Sequence, residues 1–147
     1  MTATPEQLAQ LQAANDQINA IDYSANPTAD AADLWVDTPG IGTGYECRDY
    51  VLGKSKLLRD QGWPVDDMFV VLCFIEPEPP PGDPTGAPVR QYHAVLGCAA
   101  GGELFILDNR APAIYLWSDP PYPYLWAHQQ VAGTTDFTDV SQTGLVA

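Results

Sequence analysis

The chain has 147 residues, the size of one ordinary domain with a single hydrophobic core. Its 19 acidic and 6 basic residues give a formal net charge of −13, whereas DNA, RNA and anionic membranes are bound mainly through clustered lysine and arginine. We therefore expect neither a nucleic-acid nor a membrane partner. Because 46% of the residues are hydrophobic and 17% are charged, the composition predicts a folded acidic protein and excludes a disordered one.

The hydropathy of the sequence bears on the compartment of the protein. Residues 1–10 contain neither the basic patch nor the apolar segment of a signal peptide, and nowhere do roughly 18 apolar residues follow one another, as a membrane span requires. These features favour a cytoplasmic or phage-associated protein over a periplasmic one, with the phage origin suggested by the small size of the chain.

The three cysteines, Cys47, Cys73 and Cys98, are odd in number, so at least one thiol is expected to be free.

The first predicted element is an amphipathic helix. Thr4 and Gln7 have the spacing of a capping box, Pro5 suits the first helical position, and apolar residues recur at helical spacing over residues 5–21. Residues 22–45 are rich in Asn, Asp, Thr, Pro and Gly and predict an ordered loop.

A second helix is predicted after this loop. It is expected to begin near Glu46 or Cys47 and to end at Gly62, because glycine commonly terminates helices. Lys54 and Lys56 lie in its later half, where the helix dipole favours cations.

The remainder of the domain predicts an antiparallel sheet. The continuous apolar run 68–75 is typical of a central strand buried on both faces. Residues 91–99 and 103–109 flank a small-residue turn and predict a hairpin, and residues 113–117 predict a further strand. Six prolines within residues 76–90 exclude a helix or strand there and favour a binding loop or lid.

The last part of the chain carries weaker patterns. Residues 119–126 combine prolines with aromatic residues and are expected to cap the core, while residues 132–147 predict a loosely ordered tail. The sequence thus predicts an α+β fold with one domain over residues 1–131.

Cys47 is the candidate nucleophile. It follows a glycine-rich turn and opens the second predicted helix, where backbone N–H groups and the helix dipole stabilise a thiolate. Cys73 lies within an apolar run and Cys98 near a hairpin end, where cysteine usually acts as a small buried hydrophobe.

His93 and Asp108 are the candidate base and orienting group. If the hairpin turns on residues 100–101, paired positions sum to 201 and His93 lies opposite Asp108. If it turns on residues 101–102, the sum is 203 and the two still share a face. An odd-length loop would separate them. The spacing therefore permits a Cys47, His93 and Asp108 triad, although lone His and Asp residues on strands more often serve as hydrogen-bonding partners.

Three segments of the chain, taken in order, resemble motifs of a known family. The matching residues are Gly42, Gly44, Glu46, Cys47, Asp49, Tyr50, Lys54, Leu57, Leu58, Gly62 and Pro64 in the first segment, His93, Val95 and Leu96 in the second, and Leu107, Asp108 and Asn109 in the third. They resemble the GxGDCEDYAxxKxxxLxxLGxP, HxVL and LDN motifs of the bacterial transglutaminase-like cysteine peptidases, the LapG-type family. The similarity spans roughly residues 8–117.

The resemblance implies a papain-like, transglutaminase-like fold in which N-terminal helices pack on an antiparallel sheet. It also implies a catalytic triad of Cys47, His93 and Asp108. Calcium-dependent members of the family bind the ion through acidic residues that flank the cysteine, and here Glu46 and Asp49 would be the ligands. Arg48 replaces one of those acidic residues, and because arginine cannot coordinate Ca²⁺ we expect no cofactor.

Further site residues are predicted around the triad. Asn15 or Asn19 from the first helix would join the N–H of Cys47 in an oxyanion hole. Arg48 and Arg110, each adjacent to a triad residue, would contact substrate or offset the acidic surface. Trp35 would form part of a groove wall or of the core.

The predicted function is that of a cysteine peptidase or amidase that cleaves a protein through a thioester. Two alternatives remain open at this stage. One is acyl transfer to an amine, as in a transglutaminase, and the other is an inactive fold that serves as a protein-binding module. A zinc site on Cys47, His93 and Asp108 is disfavoured because no closely spaced ligand pair is present.

Overall fold

The computed structural model describes residues 2–21, 47–75, 91–134 and 136–145, and only the backbone of residues 47, 48, 91 and 92. In these ranges the elements are α1 (Pro5–Asn19), α2 (Cys47–Asp60), a 3-10 turn (Val65–Asp67), β1 (Met68–Ile75), β2 (Gln91–Ala100), β3 (Glu103–Leu107), β4 (Tyr115–Leu116), β5 (Tyr124–Gln130) and β6 (Phe137–Asp139). The predicted loops 22–45 and 76–90, and Trp35 and Glu46 with them, lie outside the described residues.

Both described helices follow the sequence prediction. The Thr4 hydroxyl accepts from the Gln7 backbone N–H and the Gln7 side chain accepts from the Thr4 N–H, which completes the predicted capping box. The second helix begins at Cys47 and is followed by Gly62, whose φ of 94° is accessible mainly to glycine. No described helix is long and apolar enough to cross a lipid bilayer.

The described strands form one antiparallel sheet in the order β4-β3-β2-β1-β5-β6. The apolar strand β1 lies between β2 and β5, as expected of a central strand. The helices cover one face of the sheet and bury Leu11, Val51 and Leu58 against it. The architecture is therefore the predicted α+β arrangement of helices on an antiparallel sheet.

The β2–β3 hairpin sets the position of the candidate site. Its turn consists of Gly101 and Gly102, with φ of 61° and 80°, and paired residues such as Leu96 and Leu107 sum to 203. Two consecutive residues with positive φ match the tight hairpin turn whose twist suits antiparallel strands. Of the two registers that the sequence allowed, this is the second, and its continuation would place Asp108 opposite position 95 (203 − 108).

The C-terminal part of the chain is more ordered than the sequence predicted. Residues 119–126, expected only to cap the core, contain the start of β5, which pairs with β1. Beyond residue 132 the chain adds β6 and buries Val140 and Leu145 on the sheet face opposite the helices. The sequence pattern missed this because the apolar contacts of these residues are with distant strands rather than with each other.

Candidate active site

A buried histidine–carboxylate pair lies where β2 begins and β3 ends. His93 and Asp108 are 4% and 1% exposed, and the His93 Nε2 lies 2.8 Å from the Asp108 Oδ1. The hairpin register brings them together across 15 residues of chain. The structure therefore joins two of the three residues predicted for the triad.

Four donors converge on the Asp108 carboxylate. Oδ1 accepts from His93 and from the Arg110 backbone N–H at 2.9 Å. Oδ2 accepts from the Tyr115 hydroxyl at 2.9 Å and from the Tyr124 hydroxyl. Every lone-pair direction that a carboxylate normally uses is thus engaged inside the protein.

These contacts determine the charge state of the pair. Burial acts to raise the pKa of Asp108, but the hydrogen bond and charge of His93, with the Tyr124 hydroxyl and the Arg110 N–H, outweigh it and hold the pKa at about 2. Asp108 is therefore a carboxylate at neutral pH, and it requires a proton on Nε2 of His93. In a neutral ring, Nδ1 is then the unprotonated nitrogen, which makes Nδ1 the atom that can act as a base.

The loop after β3 is anchored to α1 by two asparagines. Asn15 is fully buried and its Nδ2 donates to the carbonyl of Ala111 at 3.1 Å. The Asn19 Nδ2 donates to the carbonyl of Asp108 at 3.0 Å. Both amide nitrogens thus hold the Asp108 loop in place, and an oxyanion-hole role for either residue stays a prediction.

The same end of α1 contacts the beginning of α2. The Tyr50 hydroxyl donates to the carbonyl of Ile21, two residues beyond Asn19. Tyr50 lies one helical turn after Cys47, so a short path of hydrogen bonds links the first turn of α2 to Asp108. The Cys47 side chain itself lies outside the described part of the chain.

The side chains of the other two cysteines, Cys73 and Cys98, are completely buried. The Cys73 Sγ donates to the carbonyl of His93 at 3.5 Å, on the neighbouring strand. Burial raises the pKa of the Cys98 thiol well above its usual range. Both residues are structural, as predicted, since neither presents a thiolate to solvent.

The sequence did not predict that the Lys54 side chain is buried in this region. The sequence suggested a cation near the helix C-terminus, but the side chain is only 1% exposed, and its Nζ lies 5.9 Å from the centroid of the Tyr50 ring. Burial lowers its pKa from 10.5 to about 7, although the negative charge of Asp108 acts in the opposite direction. A spacing of three or four residues from Tyr50, Val51 and Leu58 was the available signal that Lys54 lies on the buried face.

Arg110 borders the histidine–carboxylate pair. Its guanidinium carbon lies 4.9 Å from the centroid of the Tyr122 ring and 5.7 Å from that of Tyr124. Its Nη1 is buried without a hydrogen-bond partner among the described residues. The structure therefore places Arg110 beside the site, whereas the Arg48 side chain and Trp35 lie outside the described residues and their predicted contacts with substrate stay predictions.

Of the two predicted calcium ligands, Glu46 and Asp49, only Asp49 lies within the described residues. Calcium takes about six to eight oxygen ligands. No group of three or more His, Cys, Asp or Glu side chains suited to a metal occurs within the described ranges. Asp49 is buried in α2, whereas Glu46 lies outside those ranges.

The fold and the paired His93 and Asp108 define a transglutaminase-like protein. The sequence pattern of the bacterial transglutaminase-like cysteine proteinases (BTLCP) matches residues 1–144, and the chain belongs to this family. The comparison with curated proteins found no match.

Solved structures of LapG from Legionella pneumophila have the same fold. The calcium-bound form has a TM-score of 0.65 and 20% identity, over 95% of this chain and 72% of LapG. A second LapG structure has a TM-score of 0.59 and 23% identity, over 83% and 64% of the two chains. The EGTA-treated form has a TM-score of 0.56 and 22% identity, over 92% and 73%. At these identities the likeness establishes the fold.

Proposed function

We propose that this protein is a cysteine peptidase in which Cys47 is the nucleophile, His93 the general base and acid, and Asp108 the orienting group. The observation that carries the proposal is the buried His93–Asp108 pair, with Nε2 held at 2.8 Å from the carboxylate. Membership of a cysteine proteinase family and the position of Cys47 at the first residue of α2 support it.

The path from Tyr50 through α1 to the Asp108 loop supports the choice of Cys47 over the other cysteines. It ties the first turn of α2 to the backbone of Asp108. Cys73 on β1 is paired with His93 on β2, but its thiol is fully buried and donates a hydrogen bond to a backbone carbonyl. A substrate cannot reach a thiol in that position without unfolding the sheet.

The proposed reaction has two stages. The Cys47 thiolate attacks an amide carbonyl carbon, the C–N bond breaks, and the proton on Nδ1 of His93 passes to the leaving amine, which leaves a thioester. His93 then accepts a proton from water at Nδ1 while the water oxygen attacks the thioester. The acid product departs and the thiolate is restored with the imidazolium beside it. The Cys47 backbone N–H would stabilise the oxyanion in both stages.

Alkylation of Cys47 at neutral pH tests the proposal directly. An unperturbed cysteine is only about 3 per cent thiolate at pH 7, so a thiolate stabilised by His93 and the helix dipole is expected to react with iodoacetamide at least about 10-fold faster than free cysteine. Peptide mapping should locate the label on Cys47, and His93→Gln should slow labelling to the rate of free cysteine. The buried Cys73 and Cys98 serve as internal controls.

A Cys47 that reacts no faster than free cysteine would contradict the catalytic proposal and favour a protein-binding module with the same fold.

Hydrolysis and acyl transfer are distinguished by a different measurement. With a labelled primary amine in the reaction, a transglutaminase incorporates the amine into the protein substrate, whereas a peptidase releases new N-termini.

We further propose that the activity needs no calcium. The physical reason is Arg48, whose positive charge replaces a carboxylate next to the nucleophile and opposes a nearby cation. Excess EGTA is expected to change the rate of Cys47 alkylation by less than about 2-fold, and added calcium to shift the melting temperature by less than about 1 °C. A marked stabilisation by calcium, reversed by EGTA, would show that a site exists.

A further inference from the structure

Tyr115 on β4 and Tyr124 on β5 donate to the same carboxylate oxygen, although the two strands lie far apart in the strand order of the sheet. Three strands, β3, β2 and β1, separate β4 from β5. Nevertheless, both hydroxyls donate to Oδ2 of Asp108, and the two ring centroids are 6.4 Å apart. The Tyr124 ring is also 6.0 Å from the ring of His93. The phenols thus form one connected polar cluster with the histidine–carboxylate pair.

The two phenols are permanent donors in this cluster. Burial raises the pKa of both tyrosines far above the usual range, and the negative charge of Asp108 raises them further. They are therefore protonated at neutral pH, and their O–H groups donate to the carboxylate. The N–H donors of His93 and Arg110 occupy the other oxygen.

We propose that Tyr115 and Tyr124 are positioning residues that lock the rotamer of Asp108 and limit the negative charge that its carboxylate presents to His93. This role in catalysis rests on the proposed function of His93, whereas the electrostatic effect on the histidine does not. Neither tyrosine is required to touch substrate.

The sign of the effect follows from the arrangement of the donors. Each phenol that donates to Oδ2 draws electron density from the carboxylate and weakens its attraction for an imidazolium at Oδ1. Replacing a phenol by phenylalanine removes that competition, while the N–H of Arg110 still holds Oδ1 beside His93. The imidazolium is then better stabilised, and the pKa of His93 is expected to rise.

Other groups near the pair come from several elements and stay the same in the variants. They are Lys54 on α2, Cys73 on β1 and Arg110 on the loop after β3. Arg110, and Lys54 below about pH 7, carry positive charge that opposes an imidazolium, and Cys73 is hydrogen-bonded to the backbone carbonyl of His93. A difference between the parent and a tyrosine variant therefore reports the lost hydroxyl.

The test is to titrate His93 by NMR in the Cys47→Ala protein, which removes the nucleophile and any thiolate charge. The chain contains only two histidines, so the His93 and His128 ring signals can be assigned with a His128→Gln variant. Tyr124→Phe is expected to raise the pKa of His93 by about 0.5 to 1 unit, Tyr115→Phe in the same direction, and the double variant by more than either.

Tyr122→Phe is the matched control, because Tyr122 is 41% exposed and stacks on Arg110. It is expected to leave the pKa of His93 unchanged. An unchanged or lowered pKa of His93 in both Tyr115→Phe and Tyr124→Phe would overturn the proposal. This readout needs no activity, so a protein that fails the alkylation test can still confirm or refute the role of the tyrosines.

Discussion

Asp108→Asn is expected to lower the peptidase kcat/KM by about 10³- to 10⁴-fold, the scale seen when the orienting carboxylate of a catalytic triad is neutralised. The variant keeps the size of the side chain but removes the charge that stabilises the His93 imidazolium. The measurement is turnover of a fluorescently labelled unfolded protein, together with the rate of Cys47 alkylation at pH 7.

The four donors around Asp108 explain why an amide cannot replace it. If the amide oxygen takes the place of Oδ1, its NH₂ group faces the hydroxyls of Tyr115 and Tyr124. If the NH₂ takes that place, it opposes the N–H groups of His93 and Arg110, and the histidine must adopt the other tautomer. Either outcome leaves a donor unsatisfied in a buried site, which costs about 1–3 kcal/mol of folding free energy.

Asp119→Asn provides the matched control for this prediction. It makes the same chemical change and the same change in net charge at an exposed position after β4. Its activity and alkylation rate should equal those of the parent protein. An Asp108→Asn protein that keeps activity within about 3-fold of the parent would show that Asp108 does not act with His93.

Lys54→Met is expected to stabilise the protein, with the largest effect below neutral pH. Folding lowers the pKa of Lys54 from 10.5 to about 7 because the ammonium is buried. A difference of about 3.5 units corresponds to an upper limit of about 5 kcal/mol, so a gain of about 2–5 kcal/mol in the free energy of unfolding is expected near pH 6. Urea titrations at several pH values provide the measurement.

The stabilisation by Lys54→Met is expected to depend on pH, because the folded and unfolded states release the Lys54 proton at different pH values. Below pH 7 the amine is protonated in both states, and the folded protein bears the full cost of burying the charge. Between about pH 7 and 10.5 the unfolded chain binds a proton that the folded chain does not, so the stability of the parent rises with pH. The advantage of Lys54→Met should therefore shrink across this window and vanish near its upper end.

Lys56→Met separates burial from loss of a lysine. Lys56 lies two residues away on the exposed face of α2 and pairs with Asp60 at 2.8 Å. An exposed pair of this kind contributes little, so its replacement should change the free energy of unfolding by less than about 1 kcal/mol. If Lys54→Met destabilises the protein near pH 6, or if its effect does not vary with pH, the ammonium is not buried as the structure indicates.

Local patterns determined much of the fold. Thr4 and Gln7 predicted the start of α1, the apolar run 68–75 predicted the central strand, and the small residues 100–102 predicted the hairpin turn. In each case the signal lies within a few residues of chain, where capping geometry, strand alternation and glycine's freedom at positive φ act without help from the rest of the molecule.

In the candidate site, local patterns predicted some of the residues but not the contacts between distant elements. The sequence by itself predicted Cys47, His93 and Asp108 as a triad, because the helix start, an even hairpin register and the family motifs can be inferred from residue order and spacing. Only the tertiary structure decided that Tyr115 and Tyr124 meet at Asp108 and that the Lys54 side chain is buried. These side chains come from strands that three other strands separate and from a helix that packs on the sheet, and no periodicity along one segment encodes which distant partner will satisfy a buried charge.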